Sequence, residues 1–164
     1  MKKDGGMYVR NFTFGVEDSL VSTVGLLSGI AIAGTPKETI ILAGIILIFV
    51  EAFSMGVGSV MSENSAEEYE ARREMPLHRS VLAGTTMFFS YFAAGFIPLA
   101  PYLLFPTVQA LALSIIFSLG ALFLLGAGSA RISRTSALRQ GALFLSLGGA
   151  AIVIGVLVGT AVKL

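Results

Sequence analysis

The chain has 164 residues, 55% of them hydrophobic and only 13% charged, about half the charged fraction of an ordinary soluble domain. The absence of Cys excludes disulfides, thiolate metal sites and a Cys nucleophile, and a single His excludes a multi-histidine metal site within one chain. A net charge of +1 gives no reason to expect nucleic acid as a partner, and the composition is that of an integral, multi-pass membrane protein.

Five apolar runs are each long enough to cross hydrocarbon, which takes roughly 20 helical residues. They lie near Phe14 to Gly34, Glu38 to Met61, Ser80 to Pro98, Val108 to Gly128 and Leu138 to Val162. None alternates with period two, and a backbone in lipid must satisfy its own hydrogen bonds. The pattern predicts an all-α membrane protein, one domain over 1–164 with five transmembrane helices. Lys2, Lys3, Arg10, Arg72, Arg73, Arg79, Arg131, Arg134 and Arg139 fall on one side of these spans; Lys37 and Lys163 fall on the other. Positive residues stay inside, so the N-terminus is expected in the cytoplasm and the C-terminus outside.

The first span opens with Glu17 and Asp18. Met1-Lys2-Lys3, an apolar run and Ala31-Ile32-Ala33 imitate a cleaved leader, but acids at the start of the apolar core argue for a retained helix. Asp18, Ser22, Gly25 and Gly29 form one polar, small-residue stripe, and Gly25-x-x-x-Gly29 lets another helix approach closely. Gly34 ends the helix, and Thr35-Pro36-Lys37-Glu38 reads as a capping box with Pro in the first helical position. A tight helical hairpin follows.

The second span carries Glu51 near its middle, with Met55, Gly58, Ser59 and Ser62 on the same face. A carboxylate at a helix centre costs roughly 2.5–3.5 kcal/mol on insertion scales, so function is the default reading for an acid held there. A lone Met in a span is ordinarily packing, and Asp18 has its own bland reading, an interfacial acid paired with Arg10 or Arg79. Counting from the hairpin puts Asp18 and Met55 at one level, ~24–26 Å from the turn, with Glu51 a turn further out. Oxygen plus soft sulfur suits a borderline transition metal better than Mg²⁺ or Ca²⁺.

Residues 63–78 form a short acidic segment expected in the cytoplasm. Ser65 to Glu68 is a second possible capping box, Pro76 marks a helix stop, and Glu63, Glu67, Glu70 and Glu74 share one face if the helix is continuous. Two readings stand side by side: a solvated helix end, or a vestibule that collects cations. His78 falls at the membrane boundary, one turn from Glu74. Pro98, Pro101 and Pro106, between the third and fourth spans, read as a bend or, in preference, as an ordinary external loop. No nucleophile–base pair, phosphate loop or nucleotide motif is present, so the chain is not expected to be an enzyme or to carry a cofactor.

Three stretches carry a resemblance. Phe14-Gly15-Val16-Glu17-Asp18-Ser19-Leu20-Val21-Ser22-Thr23 resembles the first-helix motif G-V-x-D-G-L-V-S of the vacuolar iron transporter family. Ala52-Phe53-Ser54-Met55-Gly56-Val57-Gly58-Ser59 resembles its second-helix A-x-S-M-x-x-G-E-Y, and Gly95-Phe96-Ile97-Pro98-Leu99-Ala100-Pro101-Tyr102 its third-helix G-x-x-I-P-L-x-P-Y. The resemblance implies a homodimer built through helix 1, which exports Fe²⁺ or Mn²⁺ from the cytoplasm in exchange for protons. Asp18 and Met55 are the matching metal positions. Two departures stand out: the motif's Glu is Ser59 here, with Glu51 two turns away as a replacement carboxylate, and the long cytoplasmic metal-binding helices of eukaryotic members are reduced to the Glu63–Glu74 stub of a short, prokaryote-like form. Metal is then expected to gather at that stub, bind the Asp18/Met55 layer, and be released by proton competition for Asp18, Glu17 and Glu51. Two other functions fit the same residues: a proton-coupled exporter of organic cations, and a non-transporting assembly or sensor subunit whose glycines serve helix association.

Overall fold

The computed structural model describes residues 2–162. Met1 and Lys163 of the charge and leader readings lie outside the described residues, and so do the side chains of Lys2 and Lys3. Among the described residues the chain forms five helices: α1 (Lys2–Ile32), α2 (Lys37–Ala71), α3 (His78–Leu104), α4 (Thr107–Ser133) and α5 (Ala137–Val162). All five are long and apolar enough to cross a membrane. Most outrun the spans read from hydropathy, α1 and α2 by several turns. At 35 residues, α2 measures about 52 Å, well beyond a hydrocarbon core of about 30 Å. Hydropathy senses only the desolvated part of a helix, whereas its hydrogen bonding continues through Glu- and Ala-rich turns that favour helix anyway.

Short connections make consecutive helices antiparallel. Arg10 and the α2–α3 and α4–α5 connections, with six further arginines in them or in the adjoining helix turns, therefore lie at one end of the bundle, here called the basic end; Lys37 lies at the other. The α1–α2 turn is a Schellman motif: Gly34 takes φ +86°, its N–H donates to Ala31 O (3.2 Å) and Thr35 N–H donates to Ile30 O (3.2 Å). The Thr35 capping box does not form. Pro36 itself occupies the N-cap, without a side-chain cap bond, and its carbonyl accepts from Thr39 and Ile40 N–H (3.0 and 3.1 Å). Nor does the helix restart at Ser65, because α2 runs on unbroken to Ala71 and stops where Arg72 turns left-handed (φ 55°).

The expectation of an external loop around the prolines is corrected. Pro98 and Pro101 lie inside α3 and are fully buried; only Pro106 is in the connection, as N-cap of α4. Proline removes a helix hydrogen bond, but membrane helices tolerate it where neighbours satisfy the freed groups. The carbonyls left without a helical donor are those of Ala94 and Ile97, four residues before each proline. Separately, Ser114 Oγ of α4 donates to Pro98 O (2.7 Å), tying α4 to α3, and Phe105 N–H closes the last turn on Pro101 O (2.9 Å).

Two packing features position the site. Helix α3 packs broadly against both α1 and α2, which touch each other far less. Near the hairpin end, Leu27, Ile40, Ile48, Leu99, Tyr102 and Ala110 lock α1 to α4 into one core. On its other side α1 meets α5 backbone to backbone: a Cβ at Gly155 would stand 2.1 Å from Gly25 O, and one at Gly159 2.1 Å from Gly29 O. The Gly25-x-x-x-Gly29 face thus finds a matching Gly155-x-x-x-Gly159 face within its own chain. Large apolar side chains such as Phe53, Phe117, Leu124 and Ile154 point outward, as a lipid-facing surface requires.

Candidate metal pathway

Polar links at the basic end set the register of α1 against α2. Arg10 is ion-paired with Glu63, and Ser59 Oγ donates to Asn11 Oδ1 (2.6 Å) while Asn11 Nδ2 donates to Met7 O (2.9 Å). In this register Glu51 comes opposite Asp18, near enough for their like charges to act on each other. Glu17, next in the chain, adds a third negative charge beside Asp18. Counting residues from the hairpin placed Met55 at this level instead. The observed register differs by about one turn, because the Schellman turn and the intervening α3 offset two helices that counting treats as level and parallel. Met55 lies nearer the basic end, beside Phe14.

Tyr91 of α3 completes the inner level. It is fully buried, and its hydroxyl lies within the field of both Asp18 and Glu51. Ser19 Oγ donates to Tyr91 O (2.6 Å), Ser22 Oγ donates to Ser19 O (3.4 Å), and the Tyr91 hydroxyl donates to Ser22 Oγ (2.7 Å). This closed ring pins α1 to α3 immediately behind Asp18. Nothing in the apolar stretch Phe88-Phe89-Ser90-Tyr91-Phe92 marks that tyrosine in the sequence. Its role depends on a contact across 69 positions.

Toward the basic end lie two cavities. Met55, Met87, Asn11, Ser59 and Arg10 line a cavity of about 310 Å³. Arg10 also lines a second cavity of about 240 Å³, with Glu63, Glu67, Glu70 and Arg79. Glu67 pairs with Arg79 (3.0 Å) as Glu63 pairs with Arg10. Both arginines considered as partners for Asp18 are therefore engaged elsewhere. Glu74 does not join this acidic face, a correction to the four-residue column: α2 ends at Ala71, and the left-handed Arg72 carries Glu74 away. His78 opens α3 and is exposed. Among the described residues no three His, Cys, Asp or Glu side chains come close enough to hold a metal ion. Per chain, the inner level offers two carboxylates near enough to repel each other, with a thioether a turn away.

Residues 9–79 and 68–160 match the VIT family. The chain belongs to that family. Vacuolar iron transporter 1 of Arabidopsis thaliana is 23% identical over 195 residues, which cover 82% of this chain and 78% of that protein. The VIT family is one of metal transporters, not enzymes.

The fold gives a physical reason for the glycine in the first-helix motif of this VIT-family chain. A Cβ at Gly15 would stand 2.1 Å from Ser90 Oγ and 3.0 Å from the Met87 carbonyl. The hydroxyl can rotate, but the carbonyl belongs to the α3 backbone. Gly15→Ala is expected to push α1 off α3 and cost about 1–3 kcal/mol, the range for overpacking a tight contact. Thermal unfolding in detergent reads it directly, and a midpoint equal to wild type would show that the close approach is not needed.

Proposed function

We propose that this chain exports a divalent transition metal, Fe²⁺ or Mn²⁺, from the cytoplasm in exchange for protons. It works as a homodimer with its N-terminus in the cytoplasm and C-terminus outside. The observation that carries this reading is the mutual repulsion of Asp18 and Glu51 on adjacent helices inside an apolar bundle. Among the described residues every Lys and Arg lies at a helix end or in a connection, apart from Arg10, which is paired with Glu63 near the basic end. Two like charges so placed are costly unless something positive visits them, and a dication or protons can do so in turn. Glu51 takes over the carboxylate that Ser59 lacks, while the Ser59 hydroxyl is committed to Asn11.

The orientation follows from the arginines gathered at the basic end. Metal enters there past Glu63, Glu67 and Glu70, crosses the cavity beside Met55 and reaches the inner acids. One chain provides too few anionic ligands to close a coordination sphere, so a second copy brings its own Asp18 and Met55 to the same level. The small residues Ser22, Gly25 and Gly29, which line an apolar groove of about 470 Å³ with α5, leave room for that approach. Protons entering from outside replace the metal on the carboxylates and return them to the neutral, empty state. The Arabidopsis relative, a vacuolar iron transporter, supports iron as one substrate.

The test is metal flux in proteoliposomes under an imposed proton gradient. Glu51→Gln keeps size and removes charge, and is expected to lower Fe²⁺ or Mn²⁺ flux and the coupled proton counterflow by about tenfold, equivalent to ~1.4 kcal/mol. Flux equal to wild type would remove Glu51 from the mechanism. Flux that a lipophilic organic cation blocks, with metals without effect, would identify an organic-cation exporter instead.

A further inference from the structure

We propose that Met87 is a second thioether donor on the cation route, and that it biases the transporter toward softer divalent metals. The inference rests on the transport reading above. Met87 comes from α3, is 3% exposed, and sits where α1 has no side chain: its sulfur is 3.1 Å from the point a Cβ of Gly15 would occupy. Gly15 precedes Asp18 by three residues, so the two share a helix face one turn apart. The Met87 sulfur is thereby held about a turn from the Asp18 carboxylate, on the side from which metal arrives.

Met87 and Met55, from different helices, line the same cavity of about 310 Å³. With roughly 30 Å³ per liquid water, that space takes a cation with several of its waters. A methionine that lines such a space, with its sulfur against the bare face of α1 at Gly15, is placed differently from one enclosed in a packed core, where Leu would serve as well. Arg10 borders both this cavity and the acidic one, so an ion drawn by the glutamates passes directly from one to the other. There it can exchange water for thioether before meeting Asp18 and Glu51. Neutral sulfur adds no charge, so the ion is selected without being trapped. Borderline and soft ions such as Fe²⁺, Co²⁺ and Cd²⁺ gain more from that exchange than Mn²⁺ or Mg²⁺.

Met87→Leu conserves volume and removes only the sulfur, which separates coordination from packing. In proteoliposomes carrying this variant, the ratio of Cd²⁺ to Mn²⁺ flux should fall by about threefold or more relative to wild type. An unchanged ratio, including an equal fall for both ions, would overturn the proposal. A second measurement does not depend on transport or on the variant at position 87. X-ray absorption of Cd²⁺ bound to detergent-solubilised Met55→Leu protein should still show a sulfur neighbour, and an all-oxygen shell would overturn the proposal. If wild-type protein moves no metal at all, the transport reading fails, while the absorption spectrum still decides whether Met87 binds.

Discussion

Asp18→Asn is expected to abolish metal transport while leaving the folded protein intact. Asn has the shape of Asp and keeps one carbonyl oxygen, so the Ser19–Tyr91–Ser22 ring behind it is undisturbed. The substitution removes the charge that attracts a dication and the group that exchanges it for a proton. Flux should fall by about a hundredfold, equivalent to ~2.7 kcal/mol in the transport barrier, when initial rates of Fe²⁺ or Mn²⁺ movement are compared in proteoliposomes. The same change also removes a like-charge repulsion from Glu51. The thermal midpoint in detergent should therefore equal or exceed that of wild type. A variant that loses flux and stability together would indicate that Asp18 holds the bundle together, and the transport role would have to pass to other residues.

Gly155→Val is the substitution expected to damage the fold most. The Cβ it adds would stand 2.1 Å from Gly25 O, and a main-chain carbonyl inside a helix cannot rotate out of the way. Helices α1 and α5 would have to separate by more than an ångström, losing the adjoining contacts at Ala151 and Gly159 as well. Overpacking ordinarily costs about 1–3 kcal/mol, and a clash with backbone belongs at the upper end. Gly149→Val is the matched control on the same helix, since a Cβ there meets nothing within 4 Å. Unfolding midpoints and monodispersity in detergent compare the two, and equal stability would show that α1 and α5 are not in backbone contact. Because α1 carries Asp18, its separation from α5 should also lower transport.

How much could be read in advance varied with the kind of interaction. Five helices and their connections were legible because the bilayer penalises each polar residue individually, which leaves a mark in local hydropathy. Helix ends were less so. Thr35 and Ser65 each head a capping-box pattern, yet Pro36 takes the N-cap itself, and α2 passes through Ser65 without interruption. The loop expected at Pro98 and Pro101 is helix: both rings are buried against neighbouring helices, and Ser114 of α4 fastens α3 there through Pro98 O. Glu74 left the acidic face because one residue, Arg72, took a left-handed conformation.

The sequence by itself determined the solvent, the helix number, the family resemblance and the presence of acids where lipid disfavours them. These are properties of residues taken singly or in short windows, and the transfer free energies behind them act residue by residue. Only the tertiary structure decided that Asp18 and Glu51 come near enough to repel each other, that Tyr91 lies within reach of both charges, and that Met87 shares a cavity with Met55. Those pairings depend on how closely three helices approach, which is governed by glycine contacts and polar links between residues far apart in the chain. No local pattern can encode a distance that appears only once α3 has wedged itself between α1 and α2.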